Sequence, residues 1–238
     1  MITDLRQRWL DHDAWFTPGD VAEQVLRGVQ QLGVEPDSIL DVGAGAGIWL
    51  QRAAFVWPKA HRIGVEIREE EEPYLRRWCD EVIIGDYSHL TVPRVDLVVG
   101  NFAFRSLCPK IYWSLRRARW IVTLVPAGFG ASEGAEQLLQ HRPPGDALRL
   151  AGRIAFLDGA TDFQHHEGLL WDTQAKPVAW TTHPLPLLPP ASRRWIARPG
   201  EEQAPRPPAP IFYPQLGSTP PGAARRDYGS RALGVQHG

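Results

Sequence analysis

Short apolar runs bounded by glycine, proline or charge alternate with stretches of helical periodicity along this chain. Residues 39–40, 62–66, 82–84, 95–100, 120–125, 153–157 and 167–171 are β-like runs, and 95–100 (VDLVVG) reads as a buried strand. Between them lie helical stretches. One starts at Ile48-Trp49-Leu50, 69–80 reads as a surface helix, and 106–119 and 131–141 follow. Ahead of the first strand, Val21, Val25, Leu26 and Val29 recur at helical spacing within 13–29. Pro18 suits the first turn of that helix and Thr17 its cap. Residues 3–15 read as a polar helix. Strand–helix alternation predicts an α/β fold: a mostly parallel sheet with helices on both faces. The last two β runs flank an Asp-Gly-Ala-Thr-Asp turn, residues 158–162, and predict a closing antiparallel hairpin.

The pattern divides the chain into a helical segment (1–36), a core (37–183) and a proline-rich extension (184–238). Proline neither donates to a ladder nor continues a helix, so the extension is expected to be largely disordered after residue 198. The hydrophobic fraction, 43%, is enough for a substantial core. Formal net charge is -1, so no global field draws the protein to nucleic acid. Cys79 and Cys108 lack metal spacing and read as reduced thiols, which suits a cytoplasmic location. No run approaches membrane-spanning length.

The candidate chemistry centres on residues 39–50, ILDVGAGAGIWL, which spell strand, glycine turn and helix. Glycines at 43, 45 and 47 let the backbone turn sharply and let a ligand lie against bare main chain. The dinucleotide pattern G-x-G-x-x-G fits poorly, because its sixth position is Ile48. Glu66 ends the second β run about 20 residues past the turn, where a carboxylate grips a ribose diol. A solvated strand-end glutamate would have the same spelling. His165 and His166 are adjacent and point apart on a strand, and no third ligand is spaced for a metal.

The pattern Asp41-x-Gly43-x-Gly45-x-Gly47 resembles motif I of the class I S-adenosylmethionine (SAM) methyltransferases. Phe16-Thr17-Pro18 resembles the segment that folds over the methionine end of SAM in adenine methyltransferases. Asp86, followed by Tyr87, resembles the acid that accepts from SAM's adenine. Asn101-Phe102-Ala103-Phe104 resembles the catalytic motif of amino-methyltransferases, with Phe102 and Ala103 where prolines are usual. Arg153, Phe156, Asp158, Gly159, Thr161, Asp162, Trp171 and Asp172 are similar to a hairpin in phage and prophage adenine methyltransferases. The resemblance covers roughly residues 13–172. It implies a seven-stranded Rossmann-like methyltransferase sheet and SAM as cofactor. The implied cofactor contacts are Phe16, Thr17, Asp41, Gly43, Ala44, Gly45, Gly47, Glu66, Asp86, Tyr87 and Asn101. The implied catalytic groups are Asn101, the Ala103 carbonyl and Phe104, with the last stacking on a flipped adenine in DNA.

Three alternatives to methylation of DNA adenine N6 stay open on these residues. One is an RNA or protein-amide substrate. The second is a degenerate SAM-binding domain without catalysis, favoured by the missing prolines. The third is a small-molecule methyltransferase, which would not need Asn101. The basic run Lys110, Arg116, Arg117 and Arg119 reads as a solvated face, with phosphate contact as the other reading. Membrane contact is not expected, and the sequence leaves the oligomeric state undetermined.

Overall fold

The structure is a computed structural model that describes residues 17–103, 106–157, 160–175 and 179–186. The polar helix at 3–15, the tip of the turn at 158–159 and the chain beyond 186 lie outside the described residues. Five parallel strands run in the order expected of a doubly wound sheet. They are β1 (Ser38–Val42), β2 (His61–Glu66), β3 (Glu81–Ile84), β4 (Val95–Gly100) and β5 (Ala118–Pro126). β6 (Asp146–Leu157) and β7 (Ala160–Asp172) form the antiparallel hairpin, and β8 (Thr181–Pro184) follows. The spatial order is β3-β2-β1-β4-β5-β7-β6-β8, with β7 antiparallel to both of its neighbours.

Among the described residues the sheet has eight strands, where seven are expected from the sequence. β8 pairs in parallel with β6, from Asp146↔Thr181 to Arg149↔Pro184. Its four residues carry no alternation and run into prolines, so the sequence pattern does not mark it. A strand at an edge tolerates proline, because its outer side has no partner that needs the missing N–H. The two hairpin strands are also longer than the apolar runs suggest. Thr161 and Asp162 belong to β7 rather than to the turn, and register shifts follow Arg149 and Arg153.

Helices α1 (Gly19–Gln31) and α2 (Ile48–Val56) cover one face, while α4 (Leu107–Leu115) and α5 (Glu133–His141) cover the other. The short helix α3 (Glu72–Leu75), preceded by a single 3-10 turn, is all that forms of the surface helix expected at 69–80. Strand residues alternate between the two cores. In β5, Trp120, Val122 and Leu124 join the α1/α2 side, and Ile121 and Val125 the α4/α5 side. This two-residue period is what a sheet buried on both faces requires. Pro18, not Thr17, occupies the cap position of α1, and its carbonyl accepts from the amides of Val21 and Ala22. Cys79 and Cys108 are both free, and burial pushes the Cys79 thiol up to about 12.

Candidate functional site

Strand order reverses between β1 and β4, and the segments that leave their C-terminal ends build the site. Residues 43–47 link β1 to α2. Gly43, Gly45 and Gly47 take φ of 88°, 54° and 88°, which side chains rarely adopt. Gly47 is the cap residue of α2, and a Cβ there would lie 2.9 Å from Leu75 Cδ1. The amides of Gly43 and Ala44 donate to the Val65 carbonyl at 2.7 and 3.0 Å, which folds the loop back over the end of β2.

Glu66 ends β2 beneath this loop and is buried. One carboxylate oxygen accepts from the Gly45 amide at 2.7 Å. The other accepts from the amides of Ile67 and Arg68, both at 3.0 Å, and from Arg68 Nε at 2.9 Å. Burial opposes its charge, yet the Arg68 hydrogen bond and charge, with the Gly45 amide, hold the carboxyl below its usual range. Glu66 therefore anchors the glycine turn, and Arg68 completes a buried ion pair with it.

Asp41 has the opposite character. It is buried in β1, one of its oxygens has no hydrogen-bond partner, and burial raises its pKa to about 8. Lys110 works against that rise and Glu66 adds to it. Gly100, φ 154°, makes room for this carboxyl. A Cβ there would lie 2.8 Å from Asp41 Oδ1 and 2.9 Å from Phe102 Cε1. The raised pKa fixes a pH dependence. Between the ordinary value of 3.8 and about 8, the folded chain keeps a proton that the unfolded chain has released. Stability from this group therefore falls as pH rises through that window and is level above it. Asp41→Asn is expected to raise the melting temperature more at pH 8 than at pH 5. Thermal scans at both pH values check this; an equal change would show that Asp41 does not titrate there.

Asn101 continues from β4 and is half-buried. Phe102, where a proline is usual, is buried in the α4/α5 core and so holds the loop by packing. The Ala103 carbonyl accepts from the Ser106 amide at 2.9 Å and from its hydroxyl at 3.3 Å. Thr17 is buried and accepts from Trp49 Nε1 at 3.3 Å, which brings the segment before α1 onto the first turn of α2. Asp86 accepts from the amide and hydroxyl of Ser88, at 2.9 and 2.8 Å, in a turn after β3. Tyr87 meets Trp113 edge to face, with centroids 5.6 Å apart. Phe16 and Phe104 lie outside the described residues.

Two residues of the site escape the sequence pattern. Arg68 spells one more charge before an acidic run. Lys110 reads with the basic residues of a solvated face; the structure corrects that, because it is buried. Its spacing from Leu107, Ile111 and Ser114 puts it on the inward stripe of α4, and that is the available signal. Arg117 and Arg119 lie over the rings of Trp113 and Trp120, each at 4.0 Å. Among the described residues, no three His, Cys, Asp or Glu could together hold a metal ion. His165 is exposed and its neighbour His166 buried. No helix among the described residues is long and apolar enough to cross a membrane.

No protein-family model matches this chain. A stretch of 95 residues is 28% identical to the Type II methyltransferase M.NspV of Nostoc sp. (strain ATCC 29411 / PCC 7524). That match covers 37% of this chain and spans about one fifth (20%) of the relative's length. Among solved structures, the crystal structure of "a putative RNA methyltransferase PH1948 from Pyrococcus horikoshii" superposes with a TM-score of 0.51 at 21% identity. It covers 66% of this chain and 86% of that one. The chain thus resembles methyltransferases in sequence over its matched part and shares the Rossmann-like methyltransferase fold.

Proposed function

We propose that this chain is a SAM-dependent methyltransferase and that its substrate is the exocyclic N6 amine of adenine in DNA. The observation that carries the cofactor reading is the junction of β1 and β4. There a turn of three left-handed glycines, a buried carboxyl with an orphaned oxygen and Asn101 converge. An unpartnered buried oxygen costs free energy until a donor reaches it, and SAM's ammonium is such a donor. The glycine turn leaves space for the methionine portion that any side chain would fill. Thr17, Ala44, Asp86 and Tyr87 border the same crevice in this reading. Glu66, by fixing Gly45, holds the turn in shape for the ribose.

When bound, SAM supplies a methyl group on a sulfonium. The residues of the chain supply orientation and polarity. The side-chain oxygen of Asn101 and the Ala103 carbonyl accept the two hydrogens of the target amine, which concentrates electron density on its nitrogen. The Ser106 hydroxyl turns away from Ala103 to free that acceptor. Methyl transfer to that nitrogen, with the cofactor's sulfur as leaving group, would follow from this placement, and the surplus proton would leave to water. Phe104 stacks on the extruded base and replaces the stacking lost from the duplex. Catalysis by this arrangement is positioning and electrostatics, without a covalent intermediate on the chain.

Calorimetry with SAM is expected to show saturable binding to the wild type. Gly45→Asp is expected to abolish it, because its carboxylate would enter the cofactor's space beside Glu66. Absence of heat with the wild type would end the cofactor reading. Nucleoside mass spectrometry of DNA, RNA and protein pools after incubation with SAM then names the substrate. N6-methyladenine in DNA supports the proposal, and product confined to RNA, protein or cytosine rejects it.

A further inference from the structure

Lys110 extends from α4 to the ends of β1 and β4, and its surroundings share one property. Its Nζ donates to the Val42 carbonyl at 3.3 Å. It lies 5.4 Å from the ring centroid of Tyr87 and 5.7 Å from that of Phe102, within cation–π range of both. It is close enough to Asp41 to pull that carboxyl's pKa down against burial. A Cβ on Gly43 would stand 2.7 Å from the ammonium, so glycine at this position leaves the space that the ammonium occupies. A carbonyl, a carboxyl and two ring faces each attract positive charge. They arrive from three segments, the end of β1, the loop after β3 and the loop after β4, so no single turn brings them together. Phe102 immediately follows Asn101, where the target amine is to lie. A cation held here is therefore held beside the reacting position.

We infer that the Val42 carbonyl, Tyr87 and Phe102 form a subsite for an onium group beside Asp41, and that Lys110 fills it until the cofactor's sulfonium displaces it. This rests on the SAM reading for the identity of the onium, while the subsite rests on the geometry alone. Two cations cannot share so small a site without strong repulsion, so the lysine must leave as the sulfonium enters. The lysine engages the Val42 carbonyl and the two rings of the free chain, and its removal lowers what the cofactor must displace. A neutral side chain of similar length then favours SAM over its demethylated product, S-adenosylhomocysteine, which lacks the positive sulfur.

The test is calorimetry of wild type and Lys110→Met with both ligands. The expected result is SAM bound about tenfold more tightly by Lys110→Met, with S-adenosylhomocysteine nearly unchanged. Weaker SAM binding, or an equal change for both ligands, would overturn the inference and make Lys110 a cofactor ligand or a structural residue. A second arm needs no cofactor. Lys110→Ala empties the subsite, and circular dichroism is the check that it folds. Trimethylsulfonium chloride is expected to raise its melting temperature above that in equimolar sodium chloride, and to leave the wild type unchanged. Equal shifts in both proteins would overturn the subsite. Stabilisation of Lys110→Ala by trimethylsulfonium, with no SAM bound by any variant, would keep the subsite and reject the cofactor.

Discussion

Glu66→Ala is expected to lower the melting temperature by about 6–20 °C. The figure combines ~3–5 kcal/mol for breaking a buried ion pair with about 2–4 °C per kcal/mol for a chain of this size. The carboxylate receives the amides of Gly45, Ile67 and Arg68 as well as the Arg68 guanidinium. Alanine leaves those donors without an acceptor and Arg68 as a largely buried charge with its nearest acid removed. The same carboxyl sets an acid limit. Its folded pKa is lowered, so its contribution is complete above the unfolded value and is lost as pH falls through the folded one. Asp41 behaves in the opposite sense, and a pH–stability profile separates the two. Scanning calorimetry of Glu66→Ala checks the magnitude. A loss of only a degree or two would show that the glycine turn is held by something else. Glu66→Gln keeps one acceptor oxygen, enough for the Gly45 amide or for the Ile67 and Arg68 amides but not for both sets, so a smaller loss than in Glu66→Ala is expected.

The second large effect is expected in turnover. Asn101→Ala should reduce kcat by about 10²–10³-fold, the scale for removing one group that polarises the reacting centre. Cofactor affinity should fall far less, because the interaction with the amine strengthens only as the bond forms. Phe104→Ala should lose ~1–3 kcal/mol of base stacking and cut activity while sparing SAM affinity. The measurement is product formation on DNA by mass spectrometry, paired with calorimetry on each variant. Wild-type turnover in Asn101→Ala would remove it from the catalytic role.

Much of this molecule is legible from local pattern. A strand buried on both faces spells itself as a near-continuous apolar run, and 95–100, interrupted by Asp96 alone, carries that signature in its residue order. Glycine at alternate positions after β1 has one simple meaning, a turn with positive φ, and all three glycines adopt it. Asp41, Glu66 and Asn101 stand out because they sit at the ends of such runs. Strand ends at a switch point are where ligands meet an α/β sheet.

What the sequence does not supply is non-local. The insertion of β7 between β5 and β6, and the pairing of β8 on β6, are choices among partners far apart in the chain. Periodicity carries no record of such a choice. The capping of α1 by Pro18 depends on backbone angles, not on the presence of a threonine that can cap. The Thr17 oxygen instead accepts from Trp49, a residue of another helix. The charges show the same division. The sequence offers Glu66 as a ribose ligand or a solvated strand end and Arg68 as one more charge, and burial turns the pair into an anchor. It offers Lys110 as one of several basic residues, and the packing of α4 over β1 and β4 places that ammonium among a carbonyl, a carboxyl and two rings. Local spacing determines which side of an element a residue occupies. Only tertiary packing decides what that side faces, because the energy of a buried charge depends on neighbours brought from elsewhere in the chain.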